Sequence, residues 1–167
     1  MDMPSSSTRS RSSRGALPPF ETLVERHGRS LLRFCAARLG PDGGEDAFQE
    51  TLLAALANYE RLRTPDSARS WLFSIAHSKI VDAARRRSRE PAATGQEPAD
   101  DRIVATTEVG IWEDVKGLAP KQREAVGLRF LADLTHAEIG EVMGISEPAA
   151  RRNVHEGLSQ LRRRNNA

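Results

Sequence analysis

Apolar residues recur at helical spacing along most of the chain. Phe20, Leu23, Val24, His27, Leu31, Phe34, Cys35 and Leu39 form one stripe and predict a first helix. Gly40-Pro41-Asp42-Gly43-Gly44 predicts a turn. From Glu45 to about Tyr59 a second helix can turn Phe48, Leu52, Ala55, Leu56 and Tyr59 to the core. A loop over residues 60–70 follows, with Ser67 or Asp66 placed to cap the next helix. That helix carries Trp71, Leu72, Ile75, Ala76, Ile80, Val81 and Ala84 at core spacing.

The pattern breaks twice. Residues 1–16 are rich in Ser and Arg and nearly devoid of apolar side chains, as expected of a disordered tail. Residues 90–107 contain two Pro, a Gly and few large apolar residues, and predict an acidic, flexible linker. Beyond it, residues 108–117 predict a short helix with Ile111, Trp112 and Val115 inward. Pro120 suits the first position of the next helix, where its missing N–H costs nothing. Ala125, Val126, Leu128 and Phe130 give that helix its apolar surface. The expected fold class is all-α: a tail over 1–16 and two small helical domains over 17–89 and 108–164. The 90–107 linker joins them, and the second domain has four helices.

The strongest local signals lie between Leu134 and Arg164. Thr135 and Glu138 have the spacing of a reciprocal capping box, flanked by Leu134 and Ile139 at the staple positions. Gly144 can adopt the left-handed conformation that stops a helix after Met143. Ser146 can then cap a second helix, with Glu147 in the first turn facing the positive end of the dipole and Pro148 tolerated there. Ala150, Val154, Leu158 and Leu161 should pack inward, leaving Arg151, Arg152, His155, Glu156, Ser159 and Arg162 outside. A helix-turn-helix whose second helix has a basic outer face suits the DNA major groove. The bland alternative is a helical hairpin with a solvated charged face.

Charge placement changes that picture more than charge total. The net charge is only +2, with 38% hydrophobic and 29% charged residues. Residues 42–66 hold six acids against Arg61 and Arg63. Residues 79–89 hold Lys79, Arg85, Arg86, Arg87 and Arg89 against Asp82. Residues 146–164 hold five Arg against Glu147 and Glu156. The alternation predicts one acidic docking surface and two basic ones. Asp46, Gln49 and Glu50 share one helix face, as a favourable acidic start to a helix or as a docking patch. Five bases in eleven residues exceed what capping a helix C-terminus needs, which favours a surface turned to nucleic acid.

Other chemistries lack their residues. Cys35 is the one cysteine, so neither an internal disulfide nor a multi-cysteine zinc site can form. The four His (27, 77, 136, 155) are scattered, and no HExxH, Gly-rich phosphate loop or Ser–His–Asp order occurs. No apolar run approaches the ~18 residues of a membrane span, and no signal-peptide core is present. The expectation is a cytoplasmic protein with no enzymatic activity, cofactor, metal or membrane insertion. A stand-alone helix-turn-helix regulator, which predicts a dimer on a palindrome, and a helical RNA-binding module are the rival readings.

Three stretches in order resemble the extracytoplasmic-function (ECF) group of bacterial sigma factors, in the sigma-70 family. They are GEDAFQETLLAAL (44–56), ARSWLFSIAHSKIVDAARRR (68–87) and LAPKQREAVGLRFLADLTHAEIGEVMGISEPAARRNVHEGLSQLRRR (118–164). The resemblance implies two conserved sigma regions, the second and the fourth, and core RNA polymerase and promoter DNA as partners. It implies that Asp46, Gln49, Glu50 and Leu52 meet the polymerase. It further implies that Arg61, Arg63, Asp66 and Ser67, with Ser78, Lys79, Asp82, Arg85 and Arg86, capture the melted minus-ten element. Loop residues there read a flipped base while cations hold phosphates. Ser146, Arg151, Arg152, His155 and Glu156 match positions that meet the duplex minus-thirty-five element. The acidic linker matches a segment that threads the polymerase channels, and family habit implies an anti-sigma partner and a specialised, stress-response regulon. The chain departs from the family pattern after GISE, where Pro148-Ala149-Ala150 stand, and at Glu156, a place often basic. Ala47 and Phe48 replace the usual aliphatic pair.

Overall fold

The computed structural model describes residues 16–90 and 114–167. The expected tail apart from Ala16, the linker apart from Glu90, and the inward placing of Ile111 and Trp112 fall outside the described residues. Five α-helices are described: α1 (Phe20–Asn58), α2 (Ala68–Arg89), α3 (Pro120–Phe130), α4 (His136–Met143) and α5 (Glu147–Asn165). Two 3-10 turns, Tyr59–Arg61 and Pro65–Ser67, lead from α1 to α2. Residues 114–116 are also helical.

The expected five-residue turn after Leu39 is corrected to a kink at one residue. Gly40 alone leaves helical geometry, at φ 80° and ψ 176°. Pro41 opens the second segment of α1, where its missing N–H needs no partner. The turn-like Gly43 and Gly44 are helical. Gly44 is there for proximity: a Cβ on it would stand 2.5 Å from Cα of Ala36. The two segments therefore fold back on each other at backbone contact.

The N-terminal core combines Leu31, Phe34, Cys35 and Leu39 with Ala47, Thr51 and Ala55, and with Leu72, Phe73, Ala76 and Ile80 of α2. Two inward expectations are corrected. Leu56 is 56% exposed, because the second segment of α1 turns its Ala47–Thr51–Ala55 line inward. Ala84 is exposed, since α2 there has run past the core. Conversely Phe73, outside the expected stripe, is fully buried and meets Phe34 edge to face, with ring centroids 5.5 Å apart. Thr51 reconciles its hydroxyl with burial by donating to the Ala47 carbonyl at 2.6 Å.

The helix-turn-helix has the expected form in detail. Thr135 Oγ1 accepts from Glu138 N at 3.2 Å, and Glu138 Oε2 accepts from Thr135 N at 2.8 Å. The staple residues Leu134 and Ile139 are fully buried. Gly144 stops α4 at φ 66°, and Ser146 Oγ accepts from Ala149 N at 3.2 Å to open α5. Ala150 and Val154 are buried, while Leu158 and Leu161 pack partly against the core. Phe130, expected to supply apolar surface to the domain, is instead 61% exposed at the end of α3. The halves share a core: α3 packs on α1, α4 packs on α2, and Leu128, Leu134 and Ile139 join the cluster that holds Phe34 and Phe73.

Candidate nucleic-acid and polymerase interface

Three groups of candidate residues occupy three surfaces. The first lies on the second segment of α1. Asp46 and Gln49 are exposed, and Glu50 and Leu52 are half-buried. Leu53, 69% exposed, and Leu56 stand on the same segment, two large apolar side chains in water. The acidic start of this segment therefore adjoins an apolar strip, which the expectation of Leu56 in the core hides. Such a strip among polar neighbours is the composition of a docking surface.

The second group spans the turn region and α2. Arg61, Arg63 and Asp66 are exposed, and Ser67 is half-buried. Ser67 occupies the position before α2, but the expected side-chain cap is absent from both Ser67 and Asp66. Ser67 sits at φ −88° and ψ −2°, already near helical geometry, and its hydroxyl turns back to donate to the Thr64 carbonyl at 3.0 Å. Arg61, Leu62, Arg63, Ser67, Trp71 and Ser74 line an open groove of about 330 Å³. Trp71 gives this groove an aromatic wall and the two Arg give it cations, the pairing that receives an unstacked base and its phosphate. The sequence pattern places Trp71 in the core alone; its indole is shared between core and groove. Further along α2, Ser78, Asp82, Arg85 and Arg86 are exposed and Lys79 is half-buried. These lie on the helix leaving the groove, and Arg86 reaches Glu50 of the first group at 3.8 Å.

The third group lies on α5. Arg151, Arg152, His155 and Glu156 are all exposed. In the free chain Arg151 donates to Glu147 Oε1 at 2.8 Å, and Glu156 Oε2 accepts from Gln122 Nε2 at 3.1 Å. Both contacts are solvent-exposed and therefore weak. Ser146 caps α5 through its side chain.

His27, Cys35 and Arg123 belong to packing. His27 has its pKa held below the usual range by burial, then by Arg69 and Arg26. Burial pushes the Cys35 thiol up to about 12. Arg123 is lowered by burial and by Arg38, and it donates to the carbonyls of Lys116 and Leu118 at 2.6 and 3.2 Å. Among the described residues no group of three His, Cys, Asp or Glu side chains could hold a metal ion. No helix among them is long and apolar enough to cross a membrane.

Comparison with known proteins accounts for this combination. Residues 23–90 match the model of Sigma-70 region 2, and residues 115–163 match that of Sigma-70, region 4. The RNA polymerase sigma factor CarQ of Myxococcus xanthus is 32% identical over 89% of this chain and 90% of its own length. The ECF RNA polymerase sigma factor ShbA of Streptomyces griseus is 30% identical over 78% of this chain and 79% of its own. The sigma factor RpoE of Bartonella quintana, solved in complex with the anti-sigma factor NepR, shares the fold at a TM-score of 0.69. It is 19% identical and covers 86% of this chain and 94% of that one. Helical architecture, matched regions and relatives agree that the chain belongs to the ECF group of sigma-70-family sigma factors, non-catalytic proteins that bind core RNA polymerase and direct promoter recognition and transcription initiation.

Proposed function

We propose that three separate surfaces divide this work. Asp46, Gln49, Glu50 and Leu52, extended by Leu53 and Leu56, dock on the polymerase. Arg61, Arg63, Asp66 and Ser67, with Ser78, Lys79, Asp82, Arg85 and Arg86, capture the melted minus-ten strand. Ser146, Arg151, Arg152, His155 and Glu156 meet the minus-thirty-five duplex. The first two surfaces belong to a domain over 17–89 and the third to a domain over 108–164. The observation that supports the assignment is the groove lined by Arg61, Arg63 and Trp71 beside a cationic helix end.

The mechanism follows from two weak DNA contacts on one chain. Polymerase that fixes their separation converts the second contact into an intramolecular event, so the pair binds far more tightly than either alone. Melting then needs no chemical energy. A pocket that holds an unstacked base shifts the opening equilibrium by the binding energy of that pocket.

The regulon is a specialised, stress-response one, the site of action is the cytoplasm, and an anti-sigma protein holds the chain inactive until a signal arrives. The anti-sigma partner of RpoE supports this last reading. The test is co-elution with core RNA polymerase, followed by run-off transcription. The chain is expected to form a stable complex that Asp46→Ala/Gln49→Ala/Glu50→Ala weakens at least ten-fold. No complex, with tight duplex binding by the free chain, would transfer the function to a stand-alone regulator.

A further inference from the structure

Glu156 is an acid on the face of α5 assigned to duplex DNA. It is exposed, and Arg152 precedes it at the i, i+4 spacing of a helical ion pair. On the same helix Glu147 and Arg151, at that spacing, do pair, at 2.8 Å. Glu156 turns elsewhere. Among the described residues its carboxylate has one polar partner, and that partner lies on another helix: Gln122 Nε2 of α3 donates to Oε2 at 3.1 Å.

Close packing brings Gln122 there. Gly157, next to Glu156, lies against α3, and a Cβ on it would stand 2.7 Å from Val126 Cγ2 and 3.5 Å from the Gln122 carbonyl oxygen. A residue without a side chain lets the first turn of α3 come this near. The amide is fixed in sense as well as in place. Gln122 Oε1 is shielded from solvent and accepts no hydrogen bond among the described residues. Turning the amide over would aim that oxygen at the carboxylate and bury the N–H donors instead.

An open groove of about 350 Å³ runs between α3 and α5 here, and Glu156 is the one carboxylate among its lining residues. Beside a phosphate backbone an acid weakens binding at every sequence. It contributes to recognition only where a base offers it a donor, and in the major groove two bases do. Adenine N6 lies between two acceptors, its own N7 and the O4 of the paired thymine. Cytosine N4 has an acceptor on one side only, the guanine O6. An ionised carboxylate, which can only accept, therefore meets less repulsion over cytosine. Gln122 occupies Oε2 and leaves Oε1 to a base. The contact is exposed and adds little stability. What it supplies is direction, because a long side chain restrained before DNA arrives loses less freedom on binding.

We infer that Glu156 is a specificity-determining residue that accepts from the N4 amine of a cytosine in the minus-thirty-five element, and that Gln122 is the positioning residue that aims it. This rests on the assignment of α5 to that element. A basic residue at the same place would select guanine, so the acid reverses which strand carries the purine.

The test uses holoenzyme assembled from the full chain and bacterial core RNA polymerase. It is mixed with linear duplexes randomised across both promoter elements, and the retained DNA is sequenced. The wild type is expected to prefer cytosine about five-fold or more over any other base at one minus-thirty-five position. Glu156→Gln should move that position to adenine and Glu156→Arg to guanine, with the other positions unchanged. Gln122→Ala should weaken the cytosine preference about three-fold and leave the rest of the motif and the melting temperature as they are. A merely structural role for Gln122 would lower the melting temperature and weaken all positions alike. Cytosine absent from every minus-thirty-five position overturns the inference, and so does a cytosine preference that both Glu156 variants leave in place. A preference that shifts with Glu156 but is untouched by Gln122→Ala overturns the role of Gln122. Retained DNA with a minus-ten motif and no minus-thirty-five motif sinks the assignment of α5 and the inference with it. A minus-thirty-five motif indifferent to Glu156 sinks the inference and spares the assignment.

Discussion

The Glu50 carboxylate stands 3.8 Å from the Arg86 guanidinium, joining a residue assigned to the polymerase to one assigned to DNA. The charge runs along the chain read as separate blocks, yet the fold of α1 against α2 makes them neighbours. The side chains are 44% and 62% exposed, so the pair contributes well under about 1 kcal/mol to folding. Arg86→Ala is therefore expected to leave the melting temperature unchanged within about 1 °C while reducing open-complex formation several-fold. A footprint of the holoenzyme on a promoter measures the second effect. Full open-complex formation by Arg86→Ala would remove Arg86 from the strand-capture surface.

The helix-turn-helix was legible because its signals are local. A capping box, a left-handed Gly and an N-cap Ser each act within four residues, and each stands where the sequence puts it. Thr135→Ala removes one half of the box and leaves the Glu138 N–H without its side-chain acceptor. The expected cost is about 1 kcal/mol, read as a lower midpoint in a urea melt with unchanged slope. Thr135→Ser, which keeps the oxygen, should recover most of it.

What the sequence hid required knowledge of which segments meet. Gly43 and Gly44 carry the composition of a turn, but the demand on Gly44 comes from Ala36, eight residues earlier and across the kink. Phe73 stands at helical spacing from the buried Ala76 and Ile80, so its burial was legible in α2; its partner Phe34, on another helix, was not. The burial of Glu124 comes from α3 being laid on α1 and α2, which no local signal announces. Leu56 reads as core because helical spacing cannot tell an apolar face that packs inside from one kept outside for a partner.

The Gly44 contact is testable by one methyl group. Gly44→Ala puts a Cβ 2.5 to 2.9 Å from backbone atoms of Cys35 and Ala36, where no flexible side chain can yield. The gain in helix propensity, up to about 1 kcal/mol, is outweighed by overpacking of about 1–3 kcal/mol. The variant should melt several degrees below the wild type. A stabilised Gly44→Ala chain would show that the two segments of α1 separate freely.

Cys35 is fully buried, with its thiol pushed up to about 12. The thiolate is the reactive species, so the native thiol should resist an aromatic disulfide reagent at neutral pH. Labelling should become complete in denaturant and, under native conditions, follow the rate of transient unfolding. Immediate stoichiometric labelling of the native chain would mean that the α1 core opens readily.

His27 gives the fold an acid limit. Burial and the charges of Arg69 and Arg26 hold its pKa below the usual 6.5, so the folded chain favours the neutral ring. Above that value the ring is neutral in both folded and unfolded chains and carries no penalty. As pH falls through about 6.5 the unfolded chain takes up the proton first, and stability drains until the folded ring also protonates. His27→Gln abolishes this contribution. Urea midpoints measured between pH 7.5 and 5.5 should therefore fall more steeply for the wild type than for the variant, and parallel slopes would count against the assignment.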